Sequence, residues 1–135
     1  MSANAITHGR TSAALLQKRL ERFVADNSDI RGGLVSTVDG FEVAASLDRT
    51  LSAAKLSAMT SSLLALSEAI SRESKLGISR DMVIDADLGR LLLMEVPAAD
   101  SRLLLTVICD NAVTLGQVLW AVKAFRDDLG QISIE

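Results

Sequence analysis

Residues 80–109 read RDMVIDADLGRLLLMEVPAADSRLLLTVIC, and this stretch decides the architecture. Three largely apolar segments, 80–86, 90–96 and 102–109, are separated by Asp87-Leu88-Gly89 and by Pro97-Ala98-Ala99-Asp100. Breaks this short leave no room for a crossover helix, so the three strands form an antiparallel meander. The second and third strands are apolar on both faces, which predicts central strands covered from both sides. The first strand is expected at a sheet edge. Met82, Val83, Ile84 and Ala86 would form an aggregation-prone edge if left open, and with Asp85 they are the expected dimer interface. Pairing with a second copy would cover it, so a symmetric homodimer is expected.

The pattern extends upstream. Residues 51–75 read as the longest helix, with Leu56, Met59, Leu63, Leu66 and Ile70 stepping by three and four. This narrow apolar seam is expected to pack on the sheet. The opposite face carries Ala54, Ala58, Ser61, Ala65, Glu68 and Arg72, and Gly77 lies just past the helix end. Before it, Asp39-Gly40 joins strand 34–38 to strand 41–47, a strong hairpin signal. Phe41, Val43, Ala45 and Leu47 share one face of the returning strand, with Glu42, Ala44 and Ser46 on the other. Arg31-Gly32-Gly33 precedes the hairpin, and the two glycines predict a bulge or a close backbone approach.

The flanks are helical. Leu15, Leu16, Leu20, Phe23 and Val24 form the stripe of a first helix, capped by Thr11 or Ser12 and ending near Asn27. Residues 1–10 lack periodicity and are read as a disordered tail. After the meander, Asp110 or Asn111 is expected to cap a last helix that ends before Gly130. Its seam is Leu115, Val118, Val122, Phe125 and Leu129. Residues 131–135 read as a tail, either a short strand or disordered. The chain is thus expected to be one α/β (α+β) domain over residues 11–130, ordered α-β-β-α-β-β-β-α with helices on both faces of the sheet.

Composition excludes most chemistry. The 135 residues suit one domain, and 49% of them are apolar, enough for a core. The single histidine, His8, lies in the tail, which removes a histidine general base. The single cysteine, Cys109, ends an apolar strand and reads as a buried structural thiol. It rules out an intrachain disulfide and fits a reducing compartment. One cysteine and one histidine cannot build a structural zinc site. Asp81, Asp85, Asp87 and Asp100 lack calcium-loop spacing, so no metal is expected. No glycine-rich phosphate loop opens a helix, so no nucleotide cofactor is expected. The net charge of −3 spreads over 14 basic and 17 acidic residues without a basic block, which argues against nucleic acid. The longest apolar runs, Leu91 to Met94 and Leu103 to Leu105, cannot cross a bilayer, and no signal segment is evident. A cytoplasmic, non-enzymatic protein is expected.

Two surfaces exceed what a closed monomer needs. One is the small, charge-poor face of the long helix, since interface centres are depleted of charge. The alternative is an ordinary solvent face of good helix formers. The other is Trp120, which points away from the last helix's seam, with Val113 and Ala124 on its side. It reads either as a binding anchor or as a ring laid against the first helix or shielded by a terminus.

The ordered set of motifs resembles the Roadblock (Roadblock/dynein light chain) family, in its bacterial branch. The carrying residues are Ile30-Arg31-Gly32-Gly33-Leu34-Val35-Ser36, then Asp39-Gly40-Phe41-Glu42-Val43-Ala44. The Ala- and Ser-rich helix from Ala53 to Ala69, Leu76-Gly77, Leu91-Leu92-Leu93-Met94, Leu103-Leu104-Leu105-Thr106-Val107, Asn111 and Leu115-Gly116 complete the set. The resemblance spans roughly residues 12–129. It implies a Roadblock/profilin-like architecture: a five-stranded antiparallel sheet in order 2-1-5-4-3, first and last helices on one face, the middle helix on the other. It also implies a dimer through the third strand and middle helix, with a continuous ten-stranded sheet. Family members act as non-enzymatic regulators or scaffolds, often for small Ras-like GTPases. On that resemblance the middle-helix positions Ala54, Ala58, Ser61, Ala65, Glu68 and Arg72 face the GTPase. Two other readings compete: a scaffold subunit of a signalling or motor complex without effect on a GTPase, and a small-molecule sensor, which requires a sizeable apolar cavity.

Overall fold

A computed structural model describes the backbone of residues 2–97 and 102–133, and the side chains of 12–97 and 102–132. The elements are α1 (Ser2–Asp26), β1 (Ile30–Thr37), β2 (Glu42–Ser46), α2 (Ala53–Glu73), β3 (Asp81–Ala86), β4 (Gly89–Val96), β5 (Leu103–Cys109) and α3 (Leu115–Ser133). The five strands form one antiparallel sheet in the order β2-β1-β5-β4-β3. The meander lies where the sequence places it, with β4 and β5 interior and β3 at an edge. The second break of the meander falls largely outside the described residues.

Alternation along the strands divides the sheet into two faces. Leu92, Met94, Leu105, Val107 and Cys109 meet Leu16 and Leu20 of α1 and Val118, Val122, Phe125 and Leu129 of α3. This is the main core, and Phe23 stacks flat on Phe125 at 4.1 Å between ring centroids. The α1 stripe and the α3 seam therefore bury as their periodicity predicts. Each fully buried leucine here contributes roughly 1.5–3 kcal/mol. The opposite face is thinner. Leu93 and Leu104 meet Leu64 of α2, with Val38, Leu63, Met82 and Leu91 packed around them.

Most of the α2 seam does not sit on the sheet. The buried residues of α2 are Ser57, Thr60 and Leu64; within the seam Leu56 and Leu63 are half-buried, while Met59, Leu66 and Ile70 are 65%, 58% and 54% exposed. The reason is how close the helix lies. Gly40, at φ 99, lies in the β1–β2 turn directly against α2, and a Cβ on it would meet the Ala58 Cα at 3.4 Å. Beneath the helix the sheet offers the small buried residues Ser36 and Thr106. Small residues fit that gap, and long aliphatic ones are turned to the flank. The Thr60 hydroxyl donates to the Leu56 carbonyl at 2.8 Å, so its burial is compensated within the helix.

Smaller corrections concern element ends. The backbone is helical from Ser2, so α1 runs through Thr11 and Ser12 and neither caps it. Gly9 lies within this stretch without ending the helix. β1 begins at Ile30, so Arg31-Gly32-Gly33 lies inside the strand, with a shift of register against β5 between Ile30 and Gly32. In β2 the buried residue is Ala44, and Phe41 stands exposed. α3 starts after Thr114, whose hydroxyl accepts from the Gln117 amide at 3.4 Å, rather than at Asp110 or Asn111. Asp110 instead pairs with Arg31, and the Asn111 amide donates to the carbonyls of Ala86 and Asp87. At its far end α3 passes through Gly130 to Ser133 and buries Ile132. Gly130 does not terminate the helix; it permits contact, since a Cβ there would stand 2.7 Å from the Pro97 carbonyl.

Candidate functional site

A five-stranded open sheet has two edges, and this chain treats them differently. At the β2 edge the Gln17 side chain of α1 donates to the Ala45 carbonyl at 2.7 Å and accepts from the Ala45 amide at 2.9 Å. One primary amide thereby stands in for a neighbouring strand, which blunts the edge. Gln17→Ala removes both bonds and is expected to cost about 1–2 kcal/mol in urea denaturation. It should also raise the tendency to aggregate, read by light scattering.

The β3 edge has no such cover among the described residues. Met82 packs under α2, Val83 and Ile84 are partly exposed, and Asp85 and Ala86 are exposed. These five sequence-singled residues therefore lie together along one free edge. Beside them runs the outward stripe of α2. Leu63, on the same flank as Met59, Leu66 and Ile70, reaches down to the cluster containing Met82 and Leu91. Strand edge and helix stripe thus form one apolar flank. Contiguous exposed apolar surface is a feature common to interaction sites. Sequence periodicity found the stripe but read it as core.

The other flank of α2 holds the small-residue positions. Ala54, Ala58, Ala65 and Arg72 are exposed there. Ser61 donates to the Val38 carbonyl at 2.5 Å, and Glu68 pairs with Arg102 at 3.0 Å. These two side chains are tied to the chain's own turns. Arg102 also meets Glu95 at 2.5 Å, and the two carboxylates, Glu95 foremost, hold its guanidinium further above its ordinary pKa. Between these residues and Lys75 runs an open, charged groove rather than an apolar chamber.

Trp120 is 77% exposed on the outer side of α3, so it does not lie against α1. Ala124 is exposed near it, whereas Val113 packs against the main core and accepts from Arg90 through its carbonyl. The three residues therefore do not form one surface. Cys109 is buried in the main core, and burial pushes its thiol pKa up, the reverse of what a nucleophile requires. His8 and Asp100 lie outside the described side chains. Among the described residues no group of acidic, cysteine or histidine side chains could hold a metal ion. No described helix is long and apolar enough to cross a membrane.

The same architecture recurs in solved structures. Myxococcus xanthus MglB superposes with a TM-score of 0.75 at 18% identity, over 90% of this chain and 87% of that one. The gliding protein MglB from Thermus thermophilus gives 0.73 at 18% identity, over 93% and 90%. A Roadblock/LC7 domain from Streptomyces avermitilis gives 0.71 at 16%, over 84% and 92%. At such identities the likeness is one of fold. No curated protein matches significantly by sequence. The Roadblock/LC7 domain pattern itself, however, matches residues 16–108, from the first buried leucine of α1 through β5. With the strand order and both helical layers in agreement, the chain belongs to the Roadblock/LC7 domain family.

Proposed function

We propose that this protein is a non-enzymatic homodimeric module that regulates a small Ras-like GTPase through protein–protein contact. The observation that carries the dimer is the asymmetry of the sheet edges. Gln17 closes β2, while β3 stays open beside the exposed stripe Met59, Leu66 and Ile70. Pairing two copies through β3 and α2 covers both features at once and joins the sheets. One solved MglB structure, similar in fold, is described in a tetrameric arrangement, which fits a surface built for self-association.

The GTPase follows from family membership rather than from any group in the chain. The exposed small-residue flank of α2, at Ala54, Ala58, Ala65 and Arg72, is the surface proposed for it. It lies on the flank of α2 opposite the apolar stripe proposed for the dimer, so the two surfaces do not compete for the same residues. Ala58→Arg places a long cation in that flat surface and should abolish GTPase binding while circular dichroism and dimer mass stay unchanged. The test of the function mixes the purified protein with small Ras-like GTPases from the same organism and follows nucleotide hydrolysis and complex formation. Binding or a changed rate supports the reading. Neither effect, together with co-purification of a kinase or structural protein, moves the assignment to a scaffold without GTPase effect.

A further inference from the structure

We infer that Lys123 and Arg126 of α3 receive Asp85 of a second copy across the β3 seam, so that α3 clamps the dimer from the face opposite α2. This rests on the β3 dimer proposed above. Alternation places Asp81, Val83 and Asp85 on the α3 face, opposite Met94, Leu92 and Arg90 of β4. The β3–β4 turn is the two-residue Asp87-Leu88, closed by the pair Ala86 and Gly89. In such hairpins the closing pair is hydrogen-bonded. Ala86, Ile84 and Met82 therefore spend their backbone groups on β4, and those of Asp81, Val83 and Asp85 point to the free edge.

A two-fold axis normal to the sheet keeps each face on its own side. Every symmetric antiparallel pairing of two β3 strands therefore brings Asp85 of the second copy onto the α3 face. With Val83 at the axis, it stands opposite Asp81. With Ile84 or Met82 at the axis, it stands opposite Val83 or Ser79, one same-face step from Asp81, roughly 7 Å away. All three registers put it within reach of the long Lys123 side chain.

The receiving site is underfilled in the single chain. Lys123 Nζ lies 3.5 Å from Asp81 Oδ2, and Arg126 NH1 lies 3.7 Å from Asp81 Oδ1. Asp81 Oδ1 is buried yet has no hydrogen-bond partner. Arg126 also contacts the exposed Asp127 at 3.1 Å, and Arg80, which lines the same groove, has no ion-pair partner among the described residues. With the Arg102–Glu95 pair of the same groove cancelling, counting Lys123, Arg126 and Arg80 against Asp81 and Asp127 leaves one positive charge for an incoming carboxylate. Asp85 is largely exposed and held on the correct face by Arg90 at 3.3 Å. Without the cations, Asp81 and the second copy's Asp85 would repel in the Val83-centred register. With them, the two carboxylates share one ion cluster, repeated by symmetry.

The test uses the full chain and sedimentation velocity over a concentration series at low and high salt. Lys123→Glu and Asp85→Lys are each expected to weaken the dimer about tenfold at low salt. The combined Lys123→Glu/Asp85→Lys protein should return to within about threefold of the parent. Asp85→Asn, which keeps size and avoids a new cation beside Arg90, should weaken the dimer in the same direction and flatten its salt dependence. Dimers of parental strength in all single variants, or weakening that the combined variant does not repair, overturn the contact while leaving the β3 dimer standing. A parent chain that is monomeric throughout overturns the dimer reading, and this contact with it.

Discussion

Ile84→Asp is expected to turn the proposed dimer into a monomer. Ile84 lies mid-edge on β3, on the face shared with Met82, and is partly exposed in the single chain. A carboxylate there remains hydrated in the monomer, so the fold is kept. In the dimer each of two such carboxylates would be buried in an apolar seam. Burying a charge without a partner costs several kcal/mol. Two of them should lower the association constant by at least about a thousandfold. Light scattering over a concentration series checks this, and Met82→Lys is expected to behave alike. An unchanged dimer mass in both variants would reject the β3 interface.

The second large effect separates two leucines on one helix. Leu64 is 7% exposed and sits between α2 and the pair Leu93 and Leu104. Leu64→Ala should destabilise the fold by about 3 kcal/mol, the transfer loss plus a cavity. Leu66, half a turn away, points from the sheet. In the Ile84→Asp background, Leu66→Ser should change stability by less than about 0.5 kcal/mol. In the parent dimer the same change should weaken association about tenfold, since it strips one apolar anchor from each helix. Urea denaturation reads the first effect and sedimentation the second. Equal losses of fold stability at both positions would mean that the stripe is core after all.

These two leucines show where sequence reading ends. Periodicity marks Leu56, Met59, Leu63, Leu66 and Ile70 as one stripe of α2, and the stripe exists. It does not say what covers the stripe. The closely laid helix rests on Ser57, Thr60 and Leu64, and the small size of the first two carries no hydropathy signal. The meander was legible because Asp87-Leu88-Gly89 is too short for anything but a tight reversal, and because β4 and β5 lack a polar face. The position of β3 at an edge followed from the same reasoning. The full order β2-β1-β5-β4-β3 came from the family resemblance, since nothing in local spacing pairs β1 with β5.

The closure of the other edge was not legible. Gln17 bonds a backbone 28 residues away, and a glutamine on an amphipathic helix normally marks solvent. The end of α3 was misread for a related reason. Gly130 is a common stop signal in sequence, but here its missing side chain lets the helix touch Pro97. In both cases a tertiary contact outweighed a local preference. The Gln17 contact defines the asymmetry of the sheet, one edge sealed by a side chain and the other left without such cover among the described residues.

Amide hydrogen exchange along the two sheet edges tests that asymmetry most directly. In the parent protein the outward amides of Asp81, Val83 and Asp85 should be protected, and in Ile84→Asp they should exchange quickly. The Ala45 amide, held by Gln17, should stay protected in both. Fast exchange at Asp81, Val83 and Asp85 in a parent protein of dimer mass would contradict the account, because the dimer would then form through another face.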